Sequence, residues 1–73
     1  MPYASNADLP SPVRSHLPDH AQDIFRAAFN QAFETYGNDP RREEIAHRIA
    51  WSAVKRRYLK LDGGWMERDD ASH

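Results

Sequence analysis

The chain has 73 residues, which is enough for one small domain with a modest hydrophobic core. It contains no cysteine, which excludes a disulfide framework and a thiolate metal site, and no apolar run approaches the roughly 18 residues of a membrane span. Ten basic and eleven acidic side chains give a formal net charge of -1, which argues against tight nucleic-acid binding. Because the first residues also lack the pattern of a secretory signal, we expect a soluble cytoplasmic protein.

The N-terminal part predicts an arm followed by a short helix. Residues 1–9 have no helical period, which favours extended backbone. Ser11 suits the N-cap and Pro12 the first helical position, so a helix of one to two turns is predicted over 11–17. Three apolar residues spaced four apart are expected to pack on the last long helix: Leu9, Val13 and Leu17.

The segment 19–36 has the clearest helical pattern in the chain, with Asp19 as the predicted N-cap and Gly37-Asn38 at its end. Its apolar residues follow helical spacing throughout: Ala21, Ile24, Phe25, Ala28, Phe29, Ala32, Phe33 and Tyr36. The opposite face is polar and is expected to be solvated: Asp23, Arg26, Asn30 and Glu34.

A second long helix is predicted over 39–61 and forms the centre of the domain. Its apolar residues spread over roughly 200° of the helix wheel, so we expect other segments to cover it from more than one direction. The connection of about three residues makes the two long helices neighbours, packed around Trp51. The predicted core consists of these residues: Ile24, Phe25, Phe29, Phe33, Ile49, Trp51, Val54 and Tyr58.

After this helix, Asp62-Gly63-Gly64 predicts a stop, and Trp65 is expected to fold back in a short extended piece that pairs with the arm near Tyr3. The last residues, 67–73, are predicted to be a disordered charged tail. The predicted fold is therefore all-α: a single helical domain over 1–66, with an extended arm, one short helix, two long packed helices and an optional strand pairing near the termini.

Two histidine-containing clusters allow a functional and a structural interpretation. Four residues close in sequence include zinc-ligating types: His16, Asp19, His20 and Asp23. Helix capping and solvation explain them better, so no metal site is predicted. His47 and Trp51 share one side of a helix, where the histidine could sense pH or could simply pack and hydrogen-bond.

Basic residues recur on the second long helix and predict a contact surface. Arg41, Arg48 and Lys55 are seven apart, although cations also favour a helix C-terminus without any partner. The predicted contact residues are Arg48, Lys55 and Arg56, with Trp65 as an apolar anchor. No catalytic motif or cofactor site is recognisable, so a non-enzymatic monomer that binds another protein is predicted, with weak nucleic-acid association as the alternative.

Short motifs run in order along nearly the whole chain: Met1-Pro2-Tyr3, Asp8-Leu9-Pro10, Leu17-Pro18 with His20-Ala21-Gln22, Ala28-Phe29-Asn30, Glu43-Glu44, Ala46-His47, and Ala50-Trp51 with Ala53-Val54-Lys55. Together they resemble the ChaB family, and the last cluster is the most distinctive. The resemblance implies a small bacterial or phage-type, mainly α-helical domain that regulates cation transport. It further implies a sodium-potassium/proton antiporter as the regulated protein, and it carries over no catalytic or ligand-binding residue.

Overall fold

The computed structural model describes residues 3–61 and 64–67, which form a mostly helical domain with one small sheet. A 3-10 helix at Asn6–Asp8 precedes α1, α2 and α3, and a hairpin of two strands follows them. The helices and strands have these bounds: α1 Ser11–His16, α2 Asp19–Thr35, α3 Arg42–Arg57, β1 Tyr58–Leu61 and β2 Gly64–Glu67. The two long helices, α2 and α3, pack against each other as the sequence predicts.

The core lies between α2 and α3, with the N-terminal segment closing one side. Its buried apolar residues are these: Leu9, Val13, Leu17, Ala21, Phe25, Phe29, Ala32, Ala46, Ala50, Val54 and Tyr58. Alanine at 46 and 50 is fully buried, which allows the two helix backbones to approach closely while the phenylalanines fill the flanks.

Four of the eight predicted core residues are only partly buried or exposed. Ile24, Phe33 and Trp51 are half-buried against the core, and Ile49 is 37% exposed, so the prediction for Ile49 is wrong. Ile49 and Trp51 lie about 100° to either side of Ala50 on α3. The hairpin covers the Trp51 side through Trp65, and the Ile49 side lacks comparable cover among the described residues.

Asn30 holds the start of the described chain against α2. Its Oδ1 accepts a hydrogen bond from the Tyr3 backbone N–H at 3.2 Å, and its Nδ2 donates to the Tyr3 carbonyl at 2.8 Å. The Tyr3 ring lies 4.8 Å from the Phe29 ring, so the same residue also packs on the core. Asn30 is buried, and the prediction that it belongs to a solvated face is wrong.

Two other polar residues of that face bind the same segment. Arg26 donates from Nη1 to the Ala4 carbonyl at 2.8 Å, and Asp23 accepts a hydrogen bond from the Asn6 side chain at 2.7 Å. The polar face of α2 therefore acts as a clamp for the arm, because Asn30 and Arg26 satisfy backbone groups that would otherwise bond only to water, and Asp23 holds the Asn6 side chain.

Both predicted N-caps are shifted by one residue. Pro10 and Pro18 occupy the N-cap positions of α1 and α2 with extended ψ angles of 146° and 163°, and neither helix has a side-chain capping hydrogen bond. Gln22, three residues after Asp19, donates a hydrogen bond from Nε2 to the Leu17 carbonyl at 2.8 Å. It thereby ties the α1–α2 connection to the first turn of α2.

The C-terminal part of the predicted second helix is a strand. Helix α3 ends at Arg57, because Tyr58 adopts extended backbone with φ of -127° and ψ of 148°. Strand β1 then pairs antiparallel with β2, and Trp65 lies opposite Lys60 rather than near Tyr3 as predicted. The helix predicted to residue 61 is thus wrong in this part of the chain, and the mostly helical fold includes a small antiparallel sheet of two strands.

The hairpin register explains this difference from the prediction. Leu61 pairs with Gly64, which leaves two positions between the strands, and the sequence there is Asp62-Gly63, a dipeptide that two-residue hairpin connections favour. Residues 62 and 63 lie outside the described residues, as do 68–73 of the predicted tail. Glu67, predicted as the first tail residue, is the last residue of β2.

The buried Tyr58 hydroxyl is expected to make the domain less stable at alkaline pH. Burial, followed by the nearby Glu67 carboxylate, raises the pKa of its hydroxyl above the ordinary value of 10.0. Above that pH the unfolded chain loses the proton more readily than the folded chain, so the free energy of unfolding falls as pH rises. Urea denaturation at about pH 8 and at about pH 11 should show this loss.

The Tyr58→Phe variant isolates this effect from the titration of other groups. It should lose less stability between the two pH values than the parent chain does, because phenylalanine has no proton to release. An equal loss in both proteins would contradict the assignment. Tyr3, whose hydroxyl pKa burial also raises, provides a second position for the same comparison.

Candidate functional site

A shallow groove runs along the exposed side of α3. Its first part has a volume of about 440 Å³ and is lined by Glu44, His47, Arg48, Trp51, Ser52 and Lys55. It adjoins a second depression of about 570 Å³ between the end of α3 and the hairpin, lined by Trp51, Lys55, Tyr58, Leu59, Lys60 and Trp65. Trp51 and Lys55 belong to both depressions, and we call the continuous surface the α3 groove.

The indoles of Trp51 and Trp65 form the apolar part of the α3 groove. Their ring centroids are 5.7 Å apart, and Trp51 also meets the buried Phe25 ring edge-on at 5.3 Å. Trp51, a predicted core residue, is half-buried against the core rather than enclosed by it. The contact with Phe25 fixes one edge of the indole in the core, and the remaining surface lines the groove.

His47 and Trp51 are joined by a hydrogen bond. The indole Nε1–H of Trp51 donates to Nε2 of His47 at 3.0 Å, and the Phe25 ring lies 5.7 Å from the imidazole. An acceptor role at Nε2 requires a neutral imidazole with its proton on Nδ1. The spacing of four residues on one helix brings the two side chains together, as the sequence predicts. A pH-sensing role for His47 stays a prediction.

A small network of ion pairs lies at the N-terminal end of the groove. Glu44 Oε2 contacts Arg41 at 3.2 Å and Arg48 at 3.3 Å. The hydrogen bond from Arg41, together with its charge, lowers the pKa of the Glu44 carboxyl, so Glu44 stays ionised. Exposed pairs of this kind contribute little to folding stability, so their side chains can change partners at low cost.

The structure places three of the four predicted contact residues in the α3 groove and the fourth outside its lining. Arg48 and Lys55 line the α3 groove, and Trp65 forms its far end against Trp51. Arg56 follows Lys55 by one position, about 100° further around the helix. It is exposed but is not among the residues that line the groove, so its contact role stays a prediction.

The groove also contains residues that the sequence prediction missed, namely Ser52, Leu59 and Lys60. Leu59 and Lys60 were assigned to a helix, and their position in the groove follows from the hairpin instead. A usable signal was present, because Asp62-Gly63 lies between two four-residue runs that contain large apolar side chains.

The histidine cluster near the start of α2 is held in separate contacts. His16 Nδ1 lies 2.6 Å from the Pro12 carbonyl, and the His20 ring lies 6.3 Å from the Tyr58 ring. Asp23 is engaged by Asn6. Within residues 3–61 and 64–67, no three side chains of metal-ligating type are grouped closely enough to hold an ion. None of the helices in those residues combines the length and the apolar character needed to cross a bilayer.

Comparison with known proteins gives consistent matches over nearly the full chain. A sequence model of the family described as ChaB matches residues 9–68. A relative from Escherichia coli (strain K12), named "Putative cation transport regulator ChaB", is 48% identical over 68 residues, covering 85% of this chain and 90% of its own length. The NMR solution structure of a protein with the same name has a TM-score of 0.82 and 45% identity, and the match covers 93% of this chain and 100% of that chain.

More distant similarity extends to viral proteins. An uncharacterized 10.9 kDa protein in the LEF8-FP intergenic region of Lymantria dispar multicapsid nuclear polyhedrosis virus is 35% identical over 72 residues, which is 99% of this chain and 70% of that protein. The alignment covers α1, α2, α3 and the hairpin of this chain.

Proposed function

Because the chain belongs to the ChaB family, we propose that it is a non-enzymatic cytoplasmic regulator of cation transport. In this proposal it acts as a monomer that binds a sodium-potassium/proton antiporter in the membrane. The transport role is supported by the name of the Escherichia coli relative. The mode of action, contact with another protein, is supported by the α3 groove.

The observation that carries the proposal is the combination of two tryptophans with cationic side chains in the α3 groove. Trp51 and Trp65 offer rigid aromatic surface, and Arg48 and Lys55 lie along the same side of α3 one heptad apart. Protein interfaces are enriched in tryptophan and arginine because such residues combine apolar area with directed polar contacts. An acidic cytoplasmic segment that carries apolar side chains matches this surface.

Binding to the purified, detergent-solubilised antiporter tests the proposal directly. The parent chain should bind, and Lys55→Glu should weaken binding by about tenfold, because it places a negative charge where the partner's acidic residues approach. Arg57→Glu is the matched control: it makes the same charge change in the same helical turn but outside the groove lining. It should bind nearly as the parent chain does.

Other results of these binding measurements would change the interpretation. No binding of the parent chain would contradict the proposed partner, and equal loss in both variants would assign the effect to overall charge rather than to the groove. A separate Arg56→Glu variant tests the contact role that the sequence predicts for Arg56. If the chain instead bound duplex DNA with a steep dependence on salt, the alternative of nucleic-acid association would be favoured.

A further inference from the structure

The first part of the α3 groove follows the side-chain rows of its helix. Its six lining residues form two neighbouring rows in which each residue follows the previous one by four positions: Glu44, Arg48 and Ser52 in one row, and His47, Trp51 and Lys55 in the other. Side chains four apart form the ridges of a helix surface, and a ridge of a second helix packs into the furrow between two of them. This part of the groove is therefore shaped like one half of a contact between two helices.

An indole that is held in place lies in the middle of this furrow. Trp51 meets the buried Phe25 ring edge-on at 5.3 Å and donates a hydrogen bond to His47 Nε2 at 3.0 Å. The Trp65 ring lies 5.7 Å from Trp51 on the side of the hairpin. A side chain fixed in this way loses little further conformational entropy when a partner packs on it, which favours binding.

Cationic side chains outnumber acidic ones in the lining of the α3 groove. Arg48 and Lys55 line the first depression, and Lys60 lines the second. Among the described lining residues Glu44 is the only acid, and Arg41 and Arg48 contact its carboxylate. A partner segment with acidic side chains is therefore complementary in charge to this surface. An α3–α3 contact between two copies of the chain would instead place the same excess of cations on both sides.

The spacing of two of these cations agrees with a helical partner. Arg48 and Lys55 are seven residues apart on α3, so their Cα atoms are separated by about 10.5 Å along the helix axis. Two acidic residues seven apart on a neighbouring helix have the same separation and lie on the same side of it. In an extended segment, side chains on one face are about 6.8 or 13.6 Å apart, and neither distance matches.

We infer that the α3 groove binds an α-helical segment of the partner protein. Two acidic residues of this segment, seven positions apart, contact Arg48 and Lys55, and the apolar residues between them pack on Trp51. The inference rests on the proposed function in one respect, namely that the α3 groove is the place where a partner protein binds. It adds the conformation of the bound segment and the spacing of its acidic residues.

A synthetic helix tests the inference without the antiporter. The probe is an alanine-rich peptide of about 20 residues, long enough to form a helix by itself, with two glutamates seven positions apart and two leucines midway between them. Fluorescence anisotropy of a dye on the peptide measures its affinity. The emission of Trp51 and Trp65, the only tryptophans of the chain, reports contact with the groove. We expect the parent chain to bind the probe with a change in that emission.

Two control peptides have the same net charge as the probe. In the first, the second glutamate stands five positions after the first, which places the two carboxylates on nearly opposite sides of the helix. In the second, a proline beside the leucines breaks the helix. Both should bind at least about tenfold more weakly than the probe, because the first loses a charge contact and the second loses the helical conformation.

Exchange of charges identifies the residues in contact. Lys55→Glu should weaken binding of the probe by about tenfold, and one of the two peptides in which a single glutamate is replaced by lysine should restore it. Arg57→Glu makes the same charge change outside the groove lining and should bind the probe nearly as the parent chain does. Both positions are exposed, so the circular dichroism of the variants should match that of the parent chain.

Several results would overturn the inference. These include no binding of the probe to the parent chain, equal affinity for the proline peptide, equal weakening by Lys55→Glu and Arg57→Glu, or no restoration by either lysine peptide. Sedimentation equilibrium tests another occupant, because a dimer of the parent chain that the probe dissociates would show that a second copy fills the groove.

The two binding experiments distinguish this inference from the proposed function. If the parent chain bound the antiporter, with the loss expected for Lys55→Glu, and did not bind the probe, the bound segment would not be helical and the proposed function would stand. Binding of the probe without binding of the antiporter would support the helical segment and contradict the proposed partner.

Discussion

Replacement of Phe25 by alanine is expected to unfold most of the domain. Phe25 is fully buried and its ring meets Phe29, His47 and Trp51 at centroid distances of 6.1, 5.7 and 5.3 Å. Removal of a buried phenylalanine ring costs about 3–5 kcal/mol, because apolar area is lost and a cavity remains. A single core in a chain this short rarely supplies more than about 3–5 kcal/mol, so this loss is comparable with the total stability.

Urea denaturation followed by circular dichroism measures this effect. The matched control is Phe33→Ala, which removes the same ring from a half-buried position on the same helix. The Phe33 ring stacks on Phe29 at 5.9 Å and lies 4.8 Å from the guanidinium carbon of Arg42, so a smaller loss is expected. Equal stability losses in the two variants would contradict the central position of Phe25 in the core.

Asn30→Ala is expected to release the N-terminal arm and to destabilise the domain by about 1–3 kcal/mol. The substitution removes two hydrogen bonds at once and leaves the N–H and C=O of Tyr3 without their side-chain partner. The Tyr3 ring then loses the constraint that holds it against Phe29. The free energy of unfolding from urea denaturation, with amide exchange at residues 3–6, measures both consequences.

The control for this variant is the adjacent exposed residue, Gln31→Ala. This variant also replaces an amide side chain by alanine, one position further along α2, where no hydrogen bond to the arm is lost. Its stability should stay within about 0.5 kcal/mol of the parent chain, as is usual for surface substitutions. Fast amide exchange at residues 3–6 in the parent chain itself would show that the clamp does not hold the arm in solution.

The candidate groove was only partly predictable from the sequence. Spacing on one helix was enough to bring His47 to Trp51 and to align Arg48 with Lys55, because these relations depend only on the helical period. The same reasoning could not place Trp65 against Trp51, since that contact depends on a hairpin reversal. It also could not separate Arg56 from the groove, since the path of the groove depends on where the hairpin packs.

The helix pairing and the family were determined by the sequence itself. The regular apolar spacing of α2, the short connection and the buried alanines require two packed helices, and the ordered motifs are confirmed by the family match over residues 9–68. These features are local or depend on order along the chain, so no knowledge of distant contacts is needed to find them.

Only the tertiary structure decided what the polar face of α2 and the segment after Arg57 do. Asn30 and Arg26 look solvated on a helix wheel, and they bind the arm because unpaired backbone groups lie across from them. The residues from Tyr58 to Leu61 fit a helix as well as a strand until β2 supplies their hydrogen-bond partners. Backbone pairing between separate segments is absent from any local pattern, and for that reason it had to be seen in the fold.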